Sequence, residues 1–274
     1  MDHHTPTVEI VAAGNEVLLG DVLDTNTNWL CRRITTLGGA ISRTVMVRDE
    51  IDIIAAEISA AVARRPALIF TVGGLGPTRD DCTLAGVAAG IRRSLELHPE
   101  AEAMVRKRYE EFAASGFVPF AEMNDARRKM AILPQGATPL LNSIGGAPGV
   151  LLQIGLTAIV SLPGVPEELK AIVDESCGEL FARLFPTAHY DERTLVLGLQ
   201  DESAIADILA DAEAAHPLVY VKSRAKVMAA DRVISITLSA RAADAAAVAG
   251  LLDPVERQVT AEISAAGYAV RREV

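Results

Sequence analysis

The sequence predicts an α/β protein with a mostly parallel central sheet, followed by a small α+β unit. Three observations carry that expectation. Short apolar runs of strand type alternate with helix-length stretches over the first two-thirds of the 274 residues, the pattern of layered βαβ units. One run, "ALIFTV" at residues 67–72, is almost continuously apolar and suits a strand buried on both faces of a parallel sheet. Beyond residue 186 the order changes to strand, helix, two strands and helix, which sets expected domains of 1–186 and 187–274.

Each element has a local reason. "VEIVAA" (Val8–Ala13) reads as a buried strand, and "TNTNWLCRRITTL" as a helix capped by Asp24 or Thr25 and stopped at Gly38-Gly39. "AISRTVMV" is a second strand, and "EIDIIAAEISAAVARR" has apolar residues at helical spacing. From Arg79 to Arg128 the chain reads as almost wholly helical, with Pro99 at a helix start and an end before Gly116. "GVLLQI" and "TAIVSL" read as a hairpin around Gly155, and "PGVPEELKAIVDESCGELFARLF" as one long helix ending at Pro186. In the second unit "RTLVLGL", "PLVYVKS" and "DRVISITLSA" read as strands. "DESAIADILADAEAAH" and an Ala-rich stretch from Arg241 into the 260s read as helices.

Composition narrows the function classes. Half the residues are hydrophobic and 23% are charged, ordinary for a globular protein with a packed core. A formal charge of −10 argues against nucleic acid and anionic membrane as partners, because both need a basic footprint. Cys31, Cys82 and Cys177 form no CxxC pair, which fits a reducing cytoplasm better than a disulfide framework. The N-terminus lacks the regions of a signal peptide, and no apolar run approaches the ~18 residues of a membrane span. His3 and His4 read as part of a solvated terminus, and His98, His189 and His216 as solvated residues at element boundaries.

Chemistry concentrates in loops after strands. "TVGGLGPTRDDCT" (Thr71–Thr83) follows the third strand, and ligands of open α/β sheets sit beyond the carboxyl ends of strands. Its glycines let backbone N–H groups approach a phosphate, and a helix beginning after them adds partial positive charge. No Gly-Lys-Ser/Thr follows, and the third glycine of a dinucleotide fingerprint is missing. Asp80 and Asp81 have two readings: acids complementing a first helical turn, or carboxylates holding a divalent cation beside a diphosphate. "AAGNEVLLGDVLDTNTNW" (Ala12–Trp29) offers Asn15, Glu16, Asp21, Asp24 and Asn26, of which the last two, taken alone, read first as helix caps. "NSIGGAPGVLL" (Asn142–Leu152) and "SLPGVPEELK" (Ser161–Lys170) add turns beside strands, with Glu167 and Glu168 readable as an acidic first helical turn.

Together "GNEVLLGDVLDTN", "VGGLGPTRDDCT", "NSIGGAPG" and "LPGVPEEL" resemble the N-terminal region of the CinA (competence/damage-inducible protein A) family, over residues 7 to 186. That region is a molybdopterin-binding-type domain of the MogA/MoaB kind, which implies a three-layer fold. The tail from Arg193 to Tyr268 is similar to the KH-like unit of the same proteins, although it has no GxxG loop. Many family members end in an amidohydrolase domain that this chain is too short to include, so deamidation is not implied. The resemblance implies a pocket for a nucleotide or pterin diphosphate, with molybdopterin as a possible ligand. It further implies metal-dependent hydrolysis of ADP-ribose to AMP and a sugar phosphate, using Mg²⁺, Mn²⁺ or Co²⁺. A molybdopterin carrier and a molybdopterin adenylyltransferase are the alternatives. It assigns Asp81 and Asp24 as metal or catalytic carboxylates, with Asp80 beside them. Gly73, Gly74, Gly76, Thr78 and Thr83 fall to the phosphate loop, and Asn26, Asn142, Pro163, Gly164 and Glu168 complete the rim. A homodimer is expected.

Overall fold

The computed structural model describes residues 5–185, 189–199, 201–228 and 231–273. His3, His4 and the helix end expected at Pro186 lie outside them. The chain forms two compact units, residues 1–35 with 39–186, and residues 36–38 with 187–274.

The first unit is a layered α/β domain. It opens with β1 (Thr7–Ala13), a one-turn α1 (Asn15–Leu18), α2 (Thr25–Thr36), β2 (Ala40–Val47), α3 (Ile51–Arg64) and β3 (Leu68–Val72). Then come α4 (Thr83–Gly90), β4 (Leu95–Leu97), α5 (Pro99–Ala114), α6 (Asp125–Lys129), β5 (Ile132–Pro134) and β6 (Thr138–Leu140). The unit closes with β7 (Gly149–Ile154), β8 (Thr157–Leu162), α7 (Pro166–Ser176) and α8 (Gly178–Leu184). Strand order is β2-β1-β3-β8-β7-β6. The β1–β2, β1–β3 and β3–β8 pairs are parallel, and only β7 runs against its neighbours β8 and β6.

Alternation along the strands splits the core into two layers. Val11, Ile69 and Ile159 pack with Ile54 and Ile58 of α3, Val87 of α4 and Val105 of α5. Their neighbours Ile10, Phe70 and Val160 are equally buried and point the other way. On that face α2, α7 and α8 supply buried Leu30, Ile34, Leu169, Ile172 and Phe181. An Arg33–Asp174 ion pair of 3.0 Å joins α2 to α7. The middle strands β3 and β8 are buried throughout, as expected where helices cover both faces.

Three expectations need correcting. Residues 79–128 are not almost wholly helical. Leu95–Leu97 is a strand paired antiparallel with Ile132–Pro134, and the chain between α5 and α6 is turn and coil. Local propensity could not reveal this pairing, because its partner lies beyond an entire helix. The helix after β8 is two helices that meet at Cys177. Finally, α4 begins at Thr83, so Asp80 and Asp81 lie outside its first turn.

The second unit is a separate antiparallel sheet. Its elements are β9 (His189–Leu197), a 3₁₀ turn (Glu202–Ile205), α9 (Ala206–Ala215), β10 (Val219–Met228), β11 (Asp231–Ala242), α10 (Ala245–Ala265) and β12 (Val270–Arg272). The order is β10-β11-β9-β12. Leu195, Leu197, Ile236 and Leu238 of the sheet pack on Val248, Leu252, Val255 and Val259 of α10. The edge strand β12 was not anticipated, since three residues give no readable alternation.

One buried charge holds α3 to the sheet. Glu9, on β1 and only 3% exposed, accepts from Arg64 Nε at 2.8 Å and Nη2 at 2.7 Å. That bidentate pairing raises the Arg64 guanidinium above its usual range. Arg64→Met strands the Glu9 carboxylate. The expected loss is about 2–3 kcal/mol, below the ~3–5 kcal/mol of a fully buried pair, since Arg64 is 39% exposed. Urea unfolding of the variant measures it.

Candidate functional site

The strand register brings the four loops to one end of the sheet. Ala12 pairs with Val72, Val72 with Leu162, Ser161 with Val150 and Leu140 with Gly149. The chain therefore leaves β1, β3, β8 and β6, and enters β7, along a common rim.

At the centre of that rim is the Gly73-Gly74 turn. Both residues have positive φ, 93° and 65°. A Cβ on Gly73 would lie 2.2 Å from the Ala13 carbonyl oxygen, so backbone of β1's exit fills the space. On Gly74 it would meet the Thr83 hydroxyl at 2.4 Å, and Thr83 N donates to Gly74 O at 3.2 Å. Gly73 N donates to Leu162 O at 2.9 Å. Gly164 approaches Gly73 Cα closely enough to put an added Cβ at 3.6 Å from it. Asn26 Nδ2 donates to Gly164 O at 2.7 Å. Gly73, Gly74, Thr83, Asn26 and Gly164 are thus one constellation, with Pro163 buried beside them.

Polar atoms around this turn lack partners. Thr71 Oγ1, Thr83 Oγ1, Asn26 Oδ1, Thr27 Oγ1 and Asp24 Oδ2 are buried without a hydrogen-bond partner among the described residues. Each such atom costs roughly 1–3 kcal/mol when it stays unsatisfied, so each calls for a partner.

The acids divide. Asp24 Oδ1 accepts from Thr27 N at 2.9 Å and caps α2, so the capping reading holds for that oxygen. Asp81 Oδ2 accepts from Thr78 N at 2.8 Å and Thr78 Oγ1 at 2.6 Å, while Asp80 Oδ1 sits 2.5 Å from the same hydroxyl. That hydroxyl holds the Asp80 carboxyl below its usual range. Thr78 is therefore occupied within the loop, where the resemblance had it facing phosphate. Asp81 folds over Gly76, whose Cβ would lie 2.6 Å from Oδ2. Among the described residues no group of three or more His, Cys, Asp or Glu is arranged to hold a metal ion.

Asn142 and Glu168 serve the neighbouring loop. Asn142 Nδ2 donates to Ala147 O and to Glu168 Oε2, both at 2.7 Å. Its Oδ1 accepts from Gly145 N at 2.8 Å and Ile144 N at 3.1 Å. Burial pushes the Glu168 carboxyl up. Asn142 is fully occupied holding the loop.

Two residues escaped sequence reading. Lys129 Nζ donates to Gly76 O at 2.8 Å and Asp81 O at 2.6 Å, and burial lowers its pKa. Its ammonium ties both ends of the Gly76–Asp81 turn, yet in the sequence it is merely the last member of a basic run. Asp49 accepts from Asn15 N at 2.9 Å. Burial first, then the charges of Glu16, Asp80 and Asp81, raise its carboxyl above the usual range. Its position just beyond β2 was the available signal, since that strand ends on the same rim.

Four loops gathered at the carboxyl rim of a mostly parallel sheet make the first unit an α/β domain of the kind whose ligands sit beyond the carboxyl ends of the strands. The chain belongs to the family of probable molybdopterin-binding domains, whose model matches residues 9–183. A protein of Aeropyrum pernix is 39% identical over 81% of this chain and 80% of its own length. One of Pyrobaculum calidifontis is 38% identical over 82% and 83%. The crystal structure of the protein CinA, of unknown function, from Thermoplasma acidophilum is 30% identical with a TM-score of 0.58, covering 65% of this chain and 98% of that one. The CinA resemblance is thus matched in sequence family and in structure. The family match ends at residue 183, so the KH-like likeness of the second unit rests on its sequence. No helix of the described residues is long and apolar enough to cross a membrane.

Lys129→Met removes the pin on the loop. Amides of residues 76–82 are expected to exchange at least ten-fold faster, read by hydrogen–deuterium exchange, with global stability lowered by about 1–2 kcal/mol. Asp49→Asn keeps an acceptor for Asn15 N and removes a charge. Because the folded carboxyl binds its proton more tightly than the unfolded one, the charged form weakens the fold at neutral pH. The variant is therefore stabilised at pH 7 by a few tenths of a kcal/mol. The difference fades as pH falls through the raised folded pKa and is gone below the unfolded value of about 3.9. Thermal melts from pH 3 to 7 follow it.

Proposed function

We propose that the first unit binds the phosphate groups of a molybdopterin-type or nucleotide-type compound at the Gly73–Thr83 loop, as a protein of molybdenum cofactor metabolism. The observation carrying this reading is that Thr71 Oγ1, Thr83 Oγ1 and Asn26 Oδ1, on residues that build the Gly73-Gly74 turn, are buried and unpartnered among the described residues. Gly73 N and Thr83 N are engaged within the fold, so the positive end of the α4 dipole supplies the attraction for the phosphates. The hydroxyls of Thr71 and Thr83 can donate to phosphate oxygens, and the Asn26 and Asp24 oxygens accept from ligand N–H or O–H groups. Lys129 holds the loop in shape and offsets part of the negative charge of Asp80 and Asp81.

The binding test uses calorimetry with pyrophosphate, ADP and ADP-ribose. Wild type is expected to bind at least one of them, and Gly73→Ala to lose at least ten-fold in affinity, because the added methyl collides with the Ala13 carbonyl. Absence of binding by all three at millimolar concentration would sink the reading. Asp81→Asn is the discriminating acid variant. It retains an acceptor for Thr78 N, so a loss of affinity there reports charge and not loop collapse.

Hydrolysis of the phosphoanhydride is a second reading, favoured by Asp49. Its raised carboxyl lies in the field of Asp80 and Asp81 on the same rim, the setting of a proton-accepting group. Water would add across the P–O–P bond of ADP-ribose, giving AMP and ribose 5-phosphate as one proton passes to the base. Chromatography after incubation with Mg²⁺, Mn²⁺ or Co²⁺ tests it. Full turnover by Asp49→Asn would remove Asp49 from that role. We also propose that the protein is a homodimer, which sedimentation equilibrium tests.

A further inference from the structure

The second unit has a basic cleft of its own. It lies between α10 and the β9–β12 edge of the sheet and measures about 490 Å³, inside the ~300–1,000 Å³ range of small-molecule sites. Register builds one wall. Arg272 of β12 pairs with Leu195 of β9, so the two share a face of the sheet. Arg193 stands two residues before Leu195 and lies on that face too. Leu195 packs with the α10 core residues, so both guanidinium groups belong to the helix side. On α10, Arg257, Thr260, Ala261 and Ser264 recur at helical spacing and form the other wall.

Two carboxylates also line the cleft, and Arg193 engages both. Its side chain is only 8% exposed, and Nη1 lies 2.7 Å from Asp253 Oδ1 and 2.6 Å from Glu256 Oε2. Its Nε is buried without an acceptor among the described residues. Arg257 enters no ion pair among the described residues. Arg272 reaches Glu256 only at 3.7 Å, with its side chain 53% exposed. Three guanidinium groups thus face two carboxylates, an excess of positive charge in a chain of formal charge −10. The Thr260 and Ser264 hydroxyls make no side-chain hydrogen bond among the described residues.

We propose that this cleft binds the phosphate group of a small phosphate monoester, with its organic part lying along Ala261. Arg257 and Arg272 supply the planar forks that match phosphate oxygens, and the two hydroxyls donate to the remaining ones. A phosphate has the charge and the oxygens to use two guanidinium groups and two hydroxyls at once, where a carboxylate has two oxygens only. The site shares no residue with the rim of the first unit and does not rest on the phosphate reading there.

A proton–nitrogen NMR titration of the full chain reads this cleft and the Gly73–Thr83 loop separately. The probes are inorganic phosphate, ribose 5-phosphate and AMP. Amides of residues 257–264 and 271–273 are expected to shift saturably with at least one monoester at millimolar concentration, and more tightly than with inorganic phosphate. Arg257→Ala combined with Arg272→Ala is expected to weaken that binding by roughly ten-fold or more, through lost charge-assisted hydrogen bonds, with a native circular dichroism spectrum. Lys222→Ala combined with Arg224→Ala removes the same charge from β10, at the opposite edge of the sheet, and is expected to leave the affinity unchanged. Absence of saturable shifts at 257–264 with every probe overturns the proposal. Equal loss in the two double variants does so too, because net charge alone would then be at work. Inorganic phosphate binding as tightly as both monoesters overturns the monoester assignment. Shifts confined to residues 73–83 sink this site and sustain the phosphate reading of the first unit, and shifts confined to 257–264 and 271–273 do the reverse.

Discussion

The close approach of Gly73 to the exit of β1 is the constraint on which the rim depends. With the Ala13 carbonyl oxygen 2.2 Å from where a Cβ would stand, β3 can turn there only through a residue without a side chain and with positive φ. That turn lets Gly73 N reach Leu162 O and brings Gly164 alongside. Gly164 in turn receives the Asn26 amide and so fixes the start of α2. Three segments far apart in sequence are registered on one backbone contact.

Electrostatics around that contact are balanced within a small volume. A rim bearing Asp49, Asp80, Asp81 and Glu16 would repel a phosphate if nothing intervened. Three devices moderate it. Asp81 turns one oxygen inward to Thr78. Lys129 places its ammonium on the carbonyls at both ends of the turn. Asp49 has its proton affinity raised, chiefly by burial. These contacts leave the turn tied at both ends and one Asp81 oxygen engaged. The 141–148 loop is braced in the same way, by Asn142 through Ala147, Ile144, Gly145 and Glu168, and by Arg108 through the Ile144 and Gly145 carbonyls.

Much of the fold was legible because its signals are local. Apolar runs at β1, β3 and β8, Pro99 at a helix start and the Gly155 hairpin each owe their form to a few adjacent residues. Errors fell where structure depends on distant partners. Leu95–Leu97 is a strand only because Ile132–Pro134 pairs with it. Cys177 divides a stretch whose composition is helical on both sides. In the site, the glycines were readable as a motif, whereas the hydrogen bond by which Asn142 meets Glu168 was not. Lys129 carried no sequence signal, because its two acceptors are carbonyls some 50 residues away.

The sequence by itself determined the α/β class, the strands that form the sheet and the glycine-rich turn at its carboxyl end, because periodicity and glycine's freedom at positive φ are properties of short segments. Only the tertiary structure decided that Asp49 reaches Asn15, that Lys129 ties Gly76 to Asp81 and that Asn26 meets Gly164. Hydrogen-bond partners and burial are set by residues brought together from across the chain, and no short window of sequence contains them.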